Sequence, residues 1–344
     1  MRISIVTVYE SMNCGAYLQA WTLKVYLENN GHQVTFLKNN SRNINKAVFK
    51  NIIRLLFKRK MQDLKMEIKN YFIFKKYHKN FILCYKKDMD KQDLFILGSD
   101  EIWNVSKKSM ATYPIFWGIG ITSTNIISYA PSANNATFED IINYPYAKIA
   151  CEKLKRISVR DTHTQNIIQK ITDKPVELVS DPTMLLNINF YNDDLIKECK
   201  YKNYILIYDC YKGFSKEEIG MCVKFAKENN KKLISFGAYL SWCDLSIPAD
   251  PLAYLSYFKN ADYIFTGTFH GTIYSILFNR QFVSMGKIGM KVKHTLTFYD
   301  LLARILNSND LNILAKTKIN YSTVNEKITE MRAKSEKFLL LSLT

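Results

Sequence analysis

The run Tyr263-Ile264-Phe265-Thr266-Gly267-Thr268-Phe269-His270-Gly271-Thr272-Ile273 joins a short β-rich stretch to a glycine and hydroxyl cluster, a histidine and an apolar helical pattern (Ile273, Ile276, Leu277). That order places His270 at the mouth of a helix, where unpaired backbone N–H groups and the helix dipole favour an anion. A proton-transfer group beside an anion cradle suggests phosphate chemistry. An ordinary strand–loop–helix turn with a hydrogen-bonded histidine explains the same residues, so the rest of the chain must weigh between them.

Three other loops follow apolar, strand-like runs. Asn13-Cys14-Gly15-Ala16 opens a helix. In Gly98-Ser99-Asp100-Glu101-Ile102-Trp103-Asn104, Gly98 lets the chain turn, and Asp100 or Glu101 could accept a proton from a hydroxyl. Helix capping by Ser99 and Asp100 explains that loop as well. Trp103 could stack on a sugar ring or sit in the core. In Ser158-Val159-Arg160-Asp161 the guanidinium of Arg160 suits a carboxylate or phosphate, or a salt bridge to a neighbouring acid. Cys14 lacks an activating base in the sequence and reads as a small packing residue rather than a nucleophile.

The elements around these loops alternate between strand and helix, the α/β pattern. Strands are expected at Ile3–Val8, Val34–Leu37, Leu94–Leu97, Ile126–Tyr129, Ile157–Val159 and Val176–Val179, with helices at Ala16–Glu28, Ala147–Lys155 and Thr164–Lys170. Ser180-Asp181-Pro182-Thr183 reads as a hinge. A second unit follows, with strands at Tyr204–Tyr208, Leu233–Phe236, Tyr263–Phe265 and Phe282–Met285, and helices at Lys216–Asn229, Pro251–Lys259 and His270–Phe278. The end of the chain, about 323–341, reads as a last helix. Residues from about 40 to 92 stand apart as a basic insert of one or two amphipathic helices. Two parallel-sheet units in sequence predict a cleft at the carboxyl ends of their strands, where all four loops would lie.

The chain has 344 residues, 47% of them apolar, which fits two domains with real cores and excludes a fibre or a disordered tail. A net charge of +17 suggests an acidic partner, or solubility alone. The seven cysteines are scattered without a CxxC pair, which fits a reducing compartment better than a disulfide framework or a zinc site. The start is too short and too β-like for a signal peptide, and no apolar run approaches the roughly 20 residues of a membrane span. A cytoplasmic protein is expected. The insert is a solvated helical face or a surface for an anionic leaflet or a lipid-linked pyrophosphate. Nucleic acid is not expected, because no recognised motif accompanies the charge. Asp88-Met89-Asp90 lies in a lysine-rich charge run, and neither phosphate-loop nor dinucleotide glycine signatures occur.

In this order, Asn13-Cys14-Gly15-Ala16-Tyr17-Leu18-Gln19-Ala20, Gly98 through Asn104, Ser128-Tyr129-Ala130-Pro131-Ser132, Ser158 through Asp161, Ser180 through Thr183 and Thr268-Phe269-His270-Gly271-Thr272 resemble the polysaccharide pyruvyl transferase family from about residue 3 to residue 286. The resemblance implies two Rossmann-like domains facing a cleft, similar to GT-B glycosyltransferases. Residues 1–180 would form the acceptor side, 181–322 the donor side and 323–344 a C-terminal helix. It implies a pyruvyl group moving from phosphoenolpyruvate to a sugar of a cell-surface polysaccharide or its lipid-linked precursor, as a cyclic ketal. A nucleotide-sugar glycosyltransferase is the alternative. Under the resemblance His270 is the acid and Asp100 the base. Arg160, Thr268, Gly271 and Thr272 hold the donor. Asn13, Gly15, Ser99, Glu101 and Trp103 line the acceptor side. The scheme requires no metal or other cofactor. Many members carry an acid and an arginine where this chain has Gly267 and Thr268, so a second cation must come from Lys287, Lys291 or the insert.

Overall fold

The computed structural model describes residues 1–38, 44–191, 195–196, 199–307 and 310–343. The first unit runs through β1 (Arg2–Val6), α1 (Cys14–Asn29), β2 (Gln33–Leu37), α2 (Ile44–Phe57), α3 (Met61–His78), β3 (Leu83–Cys84) and β4 (Leu94–Leu97). It continues with α4 (Lys108–Ala111), β5 (Ile126–Ser128), α5 (Phe138–Ile142), α6 (Tyr146–Lys153), β6 (Arg156–Val159), α7 (Thr162–Gln169) and β7 (Val176–Leu178). The second unit contains β8 (Tyr204–Tyr208), α8 (Lys216–Glu228), β9 (Lys232–Phe236), β10 (Leu245–Ile247), α9 (Pro251–Asn260), β11 (Tyr263–Thr266), α10 (Phe269–Leu277) and β12 (Gln281–Ser284). After it come α11 (Met290–Phe298), α12 (Leu311–Lys316) and α13 (Tyr321–Leu343).

The two sheets are parallel, ordered β3-β2-β1-β4-β5-β6-β7 and β10-β9-β8-β11-β12. Helices cover parallel strands on both faces, so central strands read as unbroken apolar runs. β4 (Leu-Phe-Ile-Leu) and β8 (Tyr-Ile-Leu-Ile-Tyr) are buried at every position. Register follows from the same burial: Ile3 lies opposite Val34 and Leu94, and Ile264 opposite Leu206 and Phe282. In each sheet the strand order reverses beside the first strand, between β1 and β4 and between β8 and β11. Such reversals open a crevice at the carboxyl ends of the strands.

Two elements tie the units together. The basic insert forms a hairpin of α2 and α3, and β3 adds the sheet-edge strand. α3 reaches the second unit: Asn70 donates to the Gly237 carbonyl at 2.9 Å and accepts from the Ala249 amide at 2.8 Å, and the Tyr77 hydroxyl donates to Asp250 at 2.6 Å. α13 returns to the first unit, where Ser335 accepts from the Ser180 amide at 2.8 Å and Phe338 packs under the Arg156 guanidinium at 5.2 Å. Among the described residues no helix is long and apolar enough to cross a membrane.

Candidate active site

Each of the four strand ends at the two reversals contributes to one hollow between the units. After β1, the Asn13 side chain caps α1 by accepting from the Ala16 amide at 3.1 Å. After β4 come Asp100 and Glu101, and after β8 comes Tyr211. After β11, Thr268 caps α10 by accepting from the Gly271 amide at 3.1 Å. Asn13, Asp100, Glu101, Lys107, Tyr211, His270 and Lys291 line the hollow, and Asn134, Thr268 and Lys287 extend it. The N-termini of α1 and α10 therefore open on the same space, beside three lysines. Positive helix ends and ammonium groups together favour an anion there.

The β4 loop is held tightly. Gly98 sits at φ +124, and a β-carbon on it would overlap the Tyr129 carbonyl. Asp100 adopts φ +74, a left-handed conformation that costs a non-glycine residue about 1 kcal/mol or more. Thr7 at the end of β1 donates to the Ser99 carbonyl at 2.9 Å, and Gln19 of α1 donates to Thr7 at 3.3 Å. This chain fixes where the Asp100 carboxylate enters the hollow.

His270 stands at the centre, only 8% exposed. Its ring lies against Gly15, where any β-carbon would overlap it. Nε2 is buried and has no hydrogen-bond partner among the described residues. Burial pushes the imidazole down to about 4, although Asp181 and Asp100 pull the other way. The shift from 6.5 corresponds to about 3 kcal/mol in favour of the neutral ring. The ring is therefore neutral near pH 7, and its Nε2 has no hydrogen-bond partner among the described residues.

Arg160 is committed to Asp181 at 2.6 Å, lies 3.9 Å from Asp100 and stacks on the Phe269 ring at 4.3 Å. Burial works against its charge, and Asp181 and Asp100 outweigh that. Nε and Nη2 have no hydrogen-bond partner among the described residues. The guanidinium lines a neighbouring, mainly apolar hollow with Met184, Ile273, Phe298 and Met331, not the hollow of His270. Phe269 and Lys291 line both.

Glu101 joins the units across the entrance, paired with Lys291 of α11 and with Lys107. Burial opposes its ionisation, yet the two lysines hold its carboxyl well below the usual range. Glu101→Gln removes that charge and leaves two lysines facing each other. The variant is expected to lose about 2 kcal/mol of stability near neutral pH, read by urea unfolding. The sign with pH follows from the depressed value. The contribution is complete above the ordinary 4.5 and is lost as pH falls below it, so the variant should destabilise less steeply in acid. Equal acid sensitivity of both proteins would contradict this pairing.

Several expected site residues serve other ends. Trp103 is fully buried, stacked on Trp117 at 4.6 Å and donating to the Phe116 carbonyl, so it is core and offers no face to a sugar. Gly271 and Thr272 cannot cradle phosphate: their amides are spent on Thr268, and Thr266 and Thr268 crowd the α-carbon of Gly271. The first-turn amides of Phe269 and His270 are the ones this cap leaves for other acceptors. Ser99 is buried behind the loop. Cys14 is buried and its thiol is pushed well above its ordinary value, which fits a packing role. Asn13, Glu101, Asp100, Thr268 and His270 do meet in the hollow, and Gly15 backs it. Lys287 and Lys291 line it as well, whereas among the described residues the insert contributes none to this lining. Asp181 reads as a hinge and as part of the Ser180 through Thr183 stretch, neither of which pairs it with Arg160, and Lys107 and Tyr211 carry no sequence signal.

A model of the polysaccharide pyruvyl transferase family matches residues 13–286, well over half the chain and all four site loops. No curated protein matches by sequence. Among solved structures, the UDP-GlcNAc 2-epimerase of Methanocaldococcus jannaschii, solved with UDP-GlcNAc and UDP, is similar over 100% of both chains at 10% identity and a TM-score of 0.54. An alpha-glucosyltransferase solved with UDP-glucose and DNA containing an abasic site covers 98% of this chain and 95% of its own at 12% identity and a TM-score of 0.50. At such identities the likeness shows the architecture, which is GT-B-like. The family match is of a different kind, because it runs through the residues that build the hollow: this chain belongs to the polysaccharide pyruvyl transferase family.

Proposed function

We propose that the enzyme transfers the pyruvyl group of phosphoenolpyruvate to two hydroxyls of a sugar in a cell-surface glycan or its lipid-linked precursor, forming a ketal. The observation that carries this reading is His270, whose Nε2 has no hydrogen-bond partner among the described residues, in a hollow lined by two helix N-termini and three lysines in a chain of this family. The donor is small and bears a phosphate and a carboxylate, so it suits a cationic hollow rather than an apolar one. Asp100 accepts a proton as a sugar hydroxyl adds to the central donor carbon. The donor methylene takes up one proton and becomes a methyl. The second hydroxyl then replaces phosphate, and its proton leaves with the phosphate. The two sugar protons thus account for the new methyl hydrogen and for hydrogen phosphate, with no oxidant or reductant. His270 is the group that carries the proton to the donor, once the donor's charge has raised its affinity for one.

Lys291 turns from Glu101 to the donor in this scheme. Lys291→Met is expected to raise the KM for phosphoenolpyruvate about 10- to 100-fold while the fold persists. The direct test is phosphate release from phosphoenolpyruvate across a panel of sugars with vicinal or 4,6-hydroxyls. Absence of release throughout, with folded protein, counts against the proposal. The epimerase and glucosyltransferase neighbours were solved with uridine nucleotides, so UDP belongs in the same thermal-shift experiment. Stabilisation by UDP and none by phosphoenolpyruvate would favour a nucleotide-sugar transferase instead.

A further inference from the structure

We infer that the α2–α3 hairpin is a docking surface for an anionic lipid leaflet. The inference concerns where the protein sits and stands apart from the reaction proposed above. α2 buries Val48 and Leu55 toward the protein, yet the adjoining stripe Phe49, Ile53, Leu56 and Phe57 faces solvent. Phe57 is 86% exposed and Phe49 63%. On α3, Met61 at 52% and Phe72 at 63% are exposed too. Single exposed apolar residues are ordinary, but a repeat at i, i+4, i+7 and i+8 is an unpartnered helix face.

The charge around that face says what covers it. Residues 44–79 carry eleven lysines and arginines against two acids, Asp63 and Glu67. Asp63 is itself paired with Lys212 of the second unit. A protein partner for an apolar stripe does not require such a one-sided surround. A leaflet of acidic headgroups does: phenylalanine and leucine enter the headgroup boundary while each nearby lysine or arginine adds to the attraction. Neither helix is apolar enough to span, so the hairpin lies on the surface. Its other face is fixed to the body of the protein by Asn70 and Tyr77, which lets it serve as a rigid foot. The Asp63–Lys212 pair sets that foot one residue from Tyr211 at the entrance to the hollow.

The test is co-sedimentation of the full chain with vesicles of phosphatidylcholine, alone or with about one-third phosphatidylglycerol. Binding to the acidic vesicles should exceed binding to the neutral ones at least about tenfold at low salt, and weaken as salt rises. Phe49→Ser with Phe57→Ser, and separately Lys50→Glu with Lys58→Glu, should each reduce binding about tenfold or more. All four positions are exposed, so thermal unfolding should not change. Failure of the unaltered protein to bind acidic vesicles overturns the inference, as does binding indifferent to both pairs of changes. Sedimentation velocity supplies a further way to overturn it: a dimer dissolved by the two serine changes would make the stripe a contact between copies of this chain.

Discussion

His270→Asn yields a folded protein whose turnover is lower by about a thousandfold. Asparagine fills much of the space and keeps one nitrogen beside Gly15, but it cannot take up a proton. The pH behaviour separates this from simple damage. Burial holds the imidazole at about 4, so the ring is neutral at pH 7. A bound phosphate and carboxylate favour the charged form and raise that value. If phosphoenolpyruvate is the donor, its binding should take up a proton at any pH between the two values, and its affinity should fall as pH rises through the upper one. Titration calorimetry in buffers of different ionisation enthalpy reads the uptake, which should vanish in the asparagine variant. Stability carries the opposite signature. The folded value lies below the ordinary 6.5, so the contribution is intact above 6.5 and is lost as pH falls toward about 4. Across that window the variant should lose less stability than the parent, by up to about 3 kcal/mol. Equal proton uptake in both proteins would remove His270 from the reaction.

The architecture was legible wherever one physical signal dominated. β4 and β8 lie where their unbroken apolar runs put them, because a strand buried on both faces leaves no room for polar residues. β10 and β3, three and two residues long at sheet edges, show no period at all. α11 is short and rich in lysine and threonine, so it did not read as a helix, although it brings Lys291 to the site. The site was legible loop by loop but not pair by pair. Asp181 precedes a proline and so read as a turn; only the neighbouring positions of β6 and β7 bring it to Arg160. Arg160 and His270 share Asp100 and Asp181 as electrostatic neighbours, yet they open on adjoining hollows. For Thr268 and Gly271 a signal was available. A threonine at the cap accepts from the third amide of its helix, so that amide is not free for a ligand.

The resemblance implies an acid and an arginine where this chain has Gly267 and Thr268, and the residues across the entrance say what the proposed doubly charged donor would meet instead. At Gly267 a β-carbon would overlap the Met285 carbonyl, so this backbone has no room for a side chain. The positive charge comes from Lys291 and Lys287 on the following segment instead. Lys291 satisfies Glu101, which keeps a buried carboxylate paired and holds the two units together. Under the proposed transfer, donor and Glu101 would compete for one ammonium group, which would couple binding to the separation of the units.

Gly15→Ala should damage both stability and turnover. A methyl group there would overlap Cβ, Cγ and Nδ1 of His270. These atoms lie at the root of the side chain, so turning the ring does not relieve the clash, and α1 and α10 must move apart. The helix itself gains up to about 1 kcal/mol from alanine. Overpacking typically costs 1–3 kcal/mol and more where backbone must shift, so the clash wins. The expected result is a stability loss of about 1–2 kcal/mol and a fall in kcat/KM of at least about a hundredfold. Gly220→Ala is the control: nothing lies within 4 Å of its β-carbon in α8, so stability should rise by about 0.5–1 kcal/mol with activity unchanged. A double-mutant cycle completes the test. In a His270→Ala background two of the three overlapping atoms are gone, so the cost of Gly15→Ala should shrink measurably. If Gly15→Ala alone leaves both stability and turnover intact, the two helix N-termini do not meet as described, and the anion site between them loses its basis.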